Sequence, residues 1–132
     1  MDILMVDDEK GLLEQAKIFL ERKKEDFNID TAIDAEQALG MLDEKKYSAV
    51  ISDYQMPKID GIEFLKIVRQ ERGNDIPFIM FTGKGREMVA MKALNLGADR
   101  YLQKRGDVKS QYDLLAETIS KEIEHHRTKE AL

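Results

Sequence analysis

The sequence predicts an α/β domain: a doubly wound, five-stranded parallel sheet with five helices. Short apolar runs alternate with longer amphipathic stretches along the chain, the signature of successive strand–helix units. The first, third and fourth runs are almost continuously apolar, as strands covered on both faces must be. Length is the third observation: 132 residues fit a single core, since domains run ~100–200 residues.

Ile3-Leu4-Met5-Val6 is the first strand and stops at Asp7-Asp8-Glu9. From Lys10 to Lys24, Leu12, Leu13, Ala16, Phe19 and Leu20 recur at helical spacing. Acidic residues precede that helix and Arg22-Lys23-Lys24 end it as a solvated terminus, the polarity its dipole favours. Phe27 to Ala32 is a weaker strand, with Phe27, Ile29 and Thr31 on one face. Ala35 to Lys45 is a helix capped by Asp34, carrying Ala38, Leu39 and Leu42 inward. Ala49-Val50-Ile51-Ser52 is the third strand and ends in Asp53.

After Met56-Pro57 and the turn pair Asp60-Gly61, a third helix is expected from Ile62 to Gln70, with Phe64, Leu65 and Val68 apolar. Ile76 to Phe81 is the fourth strand, followed by Thr82-Gly83-Lys84-Gly85. The fourth helix, Arg86 to Leu96, is expected to pack through Met88 and Met91 and to close on Gly97 as a left-handed cap. Arg100-Tyr101-Leu102-Gln103 is the fifth strand and leads to Lys104. The last helix is placed from Ser110, with Ser110 and Asp113 as its capping arrangement and Leu114, Leu115, Ile119 and Ile123 in register. His125 and His126 read as solvated polar residues near its end.

Composition narrows the function classes. Lys plus Arg number 21 and Asp plus Glu 26, a formal charge of −5. Such a domain is a poor general binder of nucleic acid, whose affinity rests on neutralised phosphates. There is no cysteine, which excludes disulfide scaffolds, thiolate metal sites and cysteine nucleophiles. No apolar stretch approaches the ~20 residues of a membrane-spanning helix, and the start Met1-Asp2-Ile3 has no basic, signal-like region. The expected setting is cytoplasmic, without direct contact to nucleic acid or membrane.

Right-handed crossovers gather the carboxyl ends of parallel strands along one edge, where open α/β sheets bind ligands. Just past those ends stand Asp7 and Asp8, Asp53, Thr82 and Lys104. Adjacent strands lie ~4.8 Å apart, so if the first and third strands are neighbours their carboxylates converge. Two unit charges at ~5 Å repel by roughly 3 kcal/mol at an effective dielectric of ~20, and Lys104 offsets only one of the charges. A hard divalent cation is the natural remainder; magnesium accepts one or two carboxylates, phosphate oxygens and waters at ~2.0–2.1 Å. An acidic pocket with a cation, a hydroxyl and a lysine suits receipt of a phosphoryl group by a carboxylate attacking in line.

The motifs Val6-Asp7-Asp8-Glu9, Asp53 through Met56-Pro57 to Asp60-Gly61, Thr82-Gly83, and Gly97-Ala98-Asp99 leading to Tyr101-Leu102-Gln103-Lys104 stand in order at successive strand ends. In this the sequence from Ile3 to Lys121 resembles the CheY-like receiver domains of two-component response regulators. The resemblance implies a flavodoxin-like sheet in the order 2-1-3-4-5 and a receiver over residues 1–124; the helix-favouring composition of 125–132 makes it the expected end of the last helix, leading towards a further module such as a sensor or kinase domain. It implies that Asp53 accepts a phosphoryl group from a histidine kinase or a histidine phosphotransfer protein with Mg2+, or Mn2+, as cofactor. Asp8 and Asp53 would bind the metal directly, Asp7 through water, and Gln55 through its backbone carbonyl. Thr82 and Lys104 would contact the phosphoryl group, Tyr101 would be the switch aromatic, and Gln55 and Lys84 would tune dephosphorylation.

An output partner or domain would then read the face of the fourth helix, fifth strand and last helix, reshaped by the added charge. The implied role is signalling, not catalysis beyond the domain's own phosphorylation and autodephosphorylation. Two departures stand out: Arg105 follows Lys104 where proline is common, leaving that peptide trans or strained, and Gly83 with Lys84-Gly85 stands where alanine is usual. Taken singly, Asp7 and Asp8 read as helix caps, Lys104 as a solvated lysine and Tyr101 as a fixed core residue; their joint order outweighs those readings. A flavin carrier needs a glycine- and hydroxyl-rich loop where Asp7-Asp8-Glu9 stands, and an aspartyl-phosphate phosphatase needs a second acid where Gln55 stands. The remaining alternative is a degenerate receiver acting as a phosphate-independent interaction module.

Overall fold

The computed structural model describes residues 1–83 and 87–132. Five strands, β1 (Asp2–Val6), β2 (Asn28–Ala32), β3 (Ala49–Ser52), β4 (Phe78–Thr82) and β5 (Arg100–Gln103), form one sheet in the order β2-β1-β3-β4-β5. All four pairings are parallel, as predicted. The helices are α1 (Lys10–Lys23), α2 (Ala35–Glu44), α3 (Gly61–Lys66), α4 (Glu87–Asn95) and α5 (Val108–Ala131).

Because successive strand residues point to opposite faces, each apolar run feeds two cores. Leu4, Val6, Val50, Phe78 and Met80 face Ala38, Leu39, Phe64, Leu65 and Ala93 of α2, α3 and α4. Ile3, Met5, Ile51, Ile79 and Phe81 face Leu13, Leu20, Tyr112, Leu115 and Ile119 of α1 and α5. A fully buried side chain of this size contributes about 1.5–3 kcal/mol, which is why β1 carries no polar residue after Asp2, and β3 and β4 none until Ser52 and Thr82 at their ends. Asp34 caps α2, its carboxylate accepting from Gln37 N–H at 2.8 Å, and Gly97 closes α4 at φ +105°, both as the sequence predicts.

Four local expectations are corrected. The third helix keeps α geometry only to Lys66, then widens into a π-helical turn over Ile67–Glu71, with Arg72 N–H donating to the Ile67 carbonyl at 2.9 Å. α5 begins at Val108 behind Asp107, ahead of Ser110; a hydrogen bond from Ser110 holds the Asp107 carboxylate below its usual range. Asp113 instead faces Lys23 and Lys109, each at 3.5 Å. Met88 and Met91 do not pack α4: they are 82% and 58% exposed, and the helix docks through Ala93 with Val89 beside it. His126 is largely covered, with Nδ1 2.7 Å from Glu130 Oε1. No helix among the described residues is long and apolar enough to cross a membrane.

Candidate functional site

The register of the sheet builds the site. Val6 pairs with Ser52, so the residues that follow, Asp7 and Asp53, leave adjacent strands side by side. Asp53 N–H donates to the Val6 carbonyl at 2.9 Å and Asp7 N–H to the Ala32 carbonyl at 3.1 Å, extending the ladder into the site. Asp7 and Asp53 are buried and Asp8 is exposed. Carboxylate oxygens of Asp7, Asp8 and Asp53 lie within 4.8 Å of one another. The expected convergence of acids is therefore present.

Lys104 reaches the same place from β5. Its N–H donates to the Thr82 carbonyl at 3.0 Å, its Nζ donates to Asp7 Oδ2 at 2.8 Å, and the same Nζ lies over the Phe81 ring, 5.4 Å from its centroid. No cis peptide occurs among the described residues, so the Lys104–Arg105 bond is trans and the lysine still enters the site. Asp7 Oδ1 also accepts from Glu9 N–H at 2.9 Å. The helix-entry role and the site role of Asp7 thus coexist, one on each oxygen.

Asp53 is pushed above the ordinary carboxylate range chiefly by burial, and further by the Asp7 charge; Thr82, Lys104 and the Tyr54 N–H pull the other way. That N–H donates to Asp53 Oδ1 at 2.8 Å. Three carboxylates against one ammonium leave excess negative charge, and a donor set made only of oxygen fits a hard divalent cation such as Mg2+ or Mn2+. An open cleft of about 510 Å3 adjoins the cluster, lined by Asp8, Tyr54, Gln55, Met56, Pro57 and Asp60.

The loop after β3 is shaped by close approach. A Cβ on Gly61 would stand 2.3 Å from the Asp53 carbonyl oxygen and 3.0 Å from Met80 Sδ, so only glycine lets α3 start against Asp53. Gly61 N–H donates to the Tyr54 carbonyl at 2.7 Å, and Asp60 caps α3 by accepting from Glu63 N–H at 2.9 Å. Lys58 adopts φ +69° in the intervening turn, closed by Ile59 N–H on the Pro57 carbonyl at 2.8 Å. Gln55 is thereby left exposed at the rim.

Thr82 is fully buried at the end of β4, and its side chain hydrogen-bonds Asp53. Tyr101, on β5 beside Met80, packs on the α2–α3–α4 core with its hydroxyl buried. Lys84 lies outside the described residues.

Sequence reasoning passed over Arg69. From the π-helical turn its guanidinium donates twice to the Gly97 carbonyl (3.0 and 2.9 Å), to the Asn74 and Ile76 carbonyls (2.8 and 2.7 Å) and to Asp99 Oδ2 (3.2 Å). Asp99 Oδ2 in turn accepts from Phe78 N–H at 2.8 Å. The bond set joins α3, β4 and the α4–β5 connection on the amino side of the sheet. An arginine inside an otherwise apolar helical stripe was the available signal.

A doubly wound sheet with three acids, a hydroxyl and a lysine at its carboxyl edge defines the receiver class of signalling domain. Residues 3–116 match the response regulator receiver domain family, and the chain belongs to it. It is 43% identical over 102 residues to the transcriptional regulatory protein CpxR of Escherichia coli K12, covering 77% of this chain and 42% of that one. Identity to the alkaline phosphatase synthesis transcriptional regulatory protein PhoP of Bacillus subtilis is 37% over 102 residues, covering 77% and 41%. The chain thus spans less than half the length of these curated relatives. Among solved structures, a response regulator receiver domain protein from Clostridium thermocellum superposes with a TM-score of 0.83 at 28% identity, covering 99% of this chain and 98% of that one. The beryllofluoride-activated NtrC4 receiver domain dimer gives 0.78 at 28% identity, covering 92% and 98%.

Proposed function

We propose that Asp53 is the phosphoacceptor of a two-component phosphorelay, taking its phosphoryl group from a histidine kinase or a histidine phosphotransfer protein. The observation that carries this reading is the meeting of Asp7, Asp8 and Asp53 within 4.8 Å, faced by Lys104 at 2.8 Å from Asp7. An Asp53 carboxylate oxygen attacks the phosphorus of the phosphohistidine in line. The O–P bond forms as the P–N bond breaks, the imidazole leaves with the electron pair and takes up a proton, and Asp53 becomes an acyl phosphate.

A bound Mg2+ supplies charge neutralisation for the transferring oxygens; Asp8, Asp53 and the Gln55 carbonyl would hold it, with Asp7 acting through water. Tyr54 N–H orients the acceptor carboxylate through Oδ1. Lys104 and Thr82, already turned into the site, move their hydrogen bonds to the phosphoryl oxygens. Gln55 at the rim, together with Lys84, governs the approach of hydrolytic water.

Drawing Thr82 towards the new group biases the packing of Tyr101 and so the α4-β5-α5 face, where Met88 and Met91 stand exposed. An output partner or domain reads that face. Residues 1–124 make up the receiver and 125–132 the end of α5 leading towards a further module, a reading supported by the greater length of the relatives.

The test is intact mass after incubation with a small phosphodonor and Mg2+. The parent gains one phosphoryl group, and the gain is lost in Asp53→Asn and on chelation of the metal. A parent that takes up no phosphate from a competent donor returns the chain to the phosphate-independent alternative.

A further inference from the structure

The Tyr101 hydroxyl is sealed from water and meets no hydrogen-bond partner among the described residues. Buried polar groups left in this condition are rare in native folds and require an explanation. The register of the last two strands supplies one. Met80 pairs with Tyr101 and Thr82 with Gln103, and residues two apart on a strand share a face. Thr82, Tyr101 and Gln103 therefore occupy the same face at the carboxyl end of β4 and β5. Gln103 is half-buried there.

Taking its functional meaning from the phosphoacceptor reading above, we propose that Gln103 is a positioning residue of the switch. Its carboxamide, set beside Thr82 and next to Tyr101 on one face of the sheet, is the polar group that holds the Tyr101 phenol in its buried place. The Thr82 side chain bonds Asp53, and Gln103 brings a long polar side chain to the same face as the phenol. Gln103 also acts on the phenol against the effect of burial, which raises its pKa. A rotation about the side-chain torsions of Gln103 brings the amide to bonding geometry, since staggered rotamers of a long side chain differ little in energy. Drawing Thr82 further towards Asp53 leaves the Gln103 amide beside the phenol and so biases Tyr101 towards its inward packing.

The test is a double-mutant cycle by equilibrium urea unfolding of the unphosphorylated chain. In the parent, Tyr101→Phe removes a bonded hydroxyl and lowers the folded-to-unfolded ratio by about three- to tenfold, the usual worth of one hydrogen bond. In the Gln103→Leu background the same change removes an orphaned hydroxyl, and the ratio rises instead. Equal effects of the same sign in both backgrounds overturn the proposal.

A second readout is nitration of Tyr101 followed by peptide mass analysis. The phenol becomes several-fold more reactive in Gln103→Leu and in Gln103→Met; unchanged reactivity in both overturns the proposal as well. Gln103→Met replaces the leucine variant in the cycle if that chain does not fold. Neither measurement uses a phosphodonor, so failure of the phosphoacceptor reading appears in the mass assay alone.

Discussion

Gly61→Ala is a one-carbon change with a large expected effect. The added Cβ would lie 2.3 Å from the Asp53 carbonyl oxygen, 3.0 Å from Met80 Sδ and 3.0 Å from Tyr54 Cα. An ordinary contact requires a displacement of about 1 Å, and the obstructing atom is backbone, tied by the Ser52 hydroxyl at 2.8 Å. Overpacking of this kind costs about 1–3 kcal/mol even against mobile side chains. Against backbone we expect the upper end, about 3 kcal/mol, while the better helix propensity of alanine returns at most ~1 kcal/mol. The net loss of about 2 kcal/mol lowers the melting temperature by about 8 °C for a chain of this length.

The same displacement moves the Asp53 carboxylate relative to Asp8 and Lys104, and a misplacement of ~1 Å costs about 100-fold in rate. Differential scanning calorimetry and the rate of phosphoryl gain from a small donor measure the two effects. Parent-like melting together with a parent-like rate would refute the claim that close approach of α3 to Asp53 shapes the site.

Two further outcomes are expected. Arg69→Lys leaves at least two of the five hydrogen bonds unmade, because an ammonium has three donors in no planar fork; a loss of about 2–3 kcal/mol in urea unfolding is expected, and a midpoint equal to the parent's contradicts it. Asp30 is held below its ordinary pKa first by the Tyr47 hydroxyl at 2.6 Å and then by Lys45 at 3.0 Å. Its folded-state pKa is therefore below the unfolded value of 3.8, so its contribution is present above that value and fades as pH falls through the folded pKa. Tyr47→Phe should flatten the acid limb of stability against pH below about pH 4; an identical limb in the variant sinks the assignment.

The fold was legible because strands buried on both faces leave no choice of composition. Ile3 to Val6, Ala49 to Ile51 and Ile76 to Phe81 announce themselves, and each ends where the backbone reaches the polar edge. β2 is weaker in sequence because it lies at the sheet edge, paired with β1 alone, so polar Asn28 and Asp30 are tolerated. The end of the third helix was misplaced because a π-helical turn keeps the apolar positions Ile67 and Val68 of an ordinary helix. Within that turn Arg69 bonds Gly97, 28 residues further on, a contact that local periodicity cannot register. Met88 and Met91 were assigned inward on hydrophobicity, yet α4 docks through Ala93.

For the site, strand-end position was enough to bring Asp7, Asp8, Asp53, Thr82 and Lys104 into one list. That Lys104 bonds Asp7 across 97 residues, or that Gly61 is needed for clearance rather than for a turn, depends on side-chain directions in space. In the sequence Gln103 is only one member of a motif; its place beside Thr82 follows from the pairing of β4 with β5.

The guanidinium of Arg69 has no hydrogen left to give, and two of its five bonds end on the Gly97 carbonyl at the foot of α4. A helix moored at one end transmits a disturbance differently from one that floats. If Asp53 is phosphorylated and draws Thr82 as proposed, the pull would reach α4 from its Glu87 end, and the rod would pivot about the anchored one. Travel would then be greatest at Met88 and least at Leu94, grading a small local pull across the solvent-facing side chains.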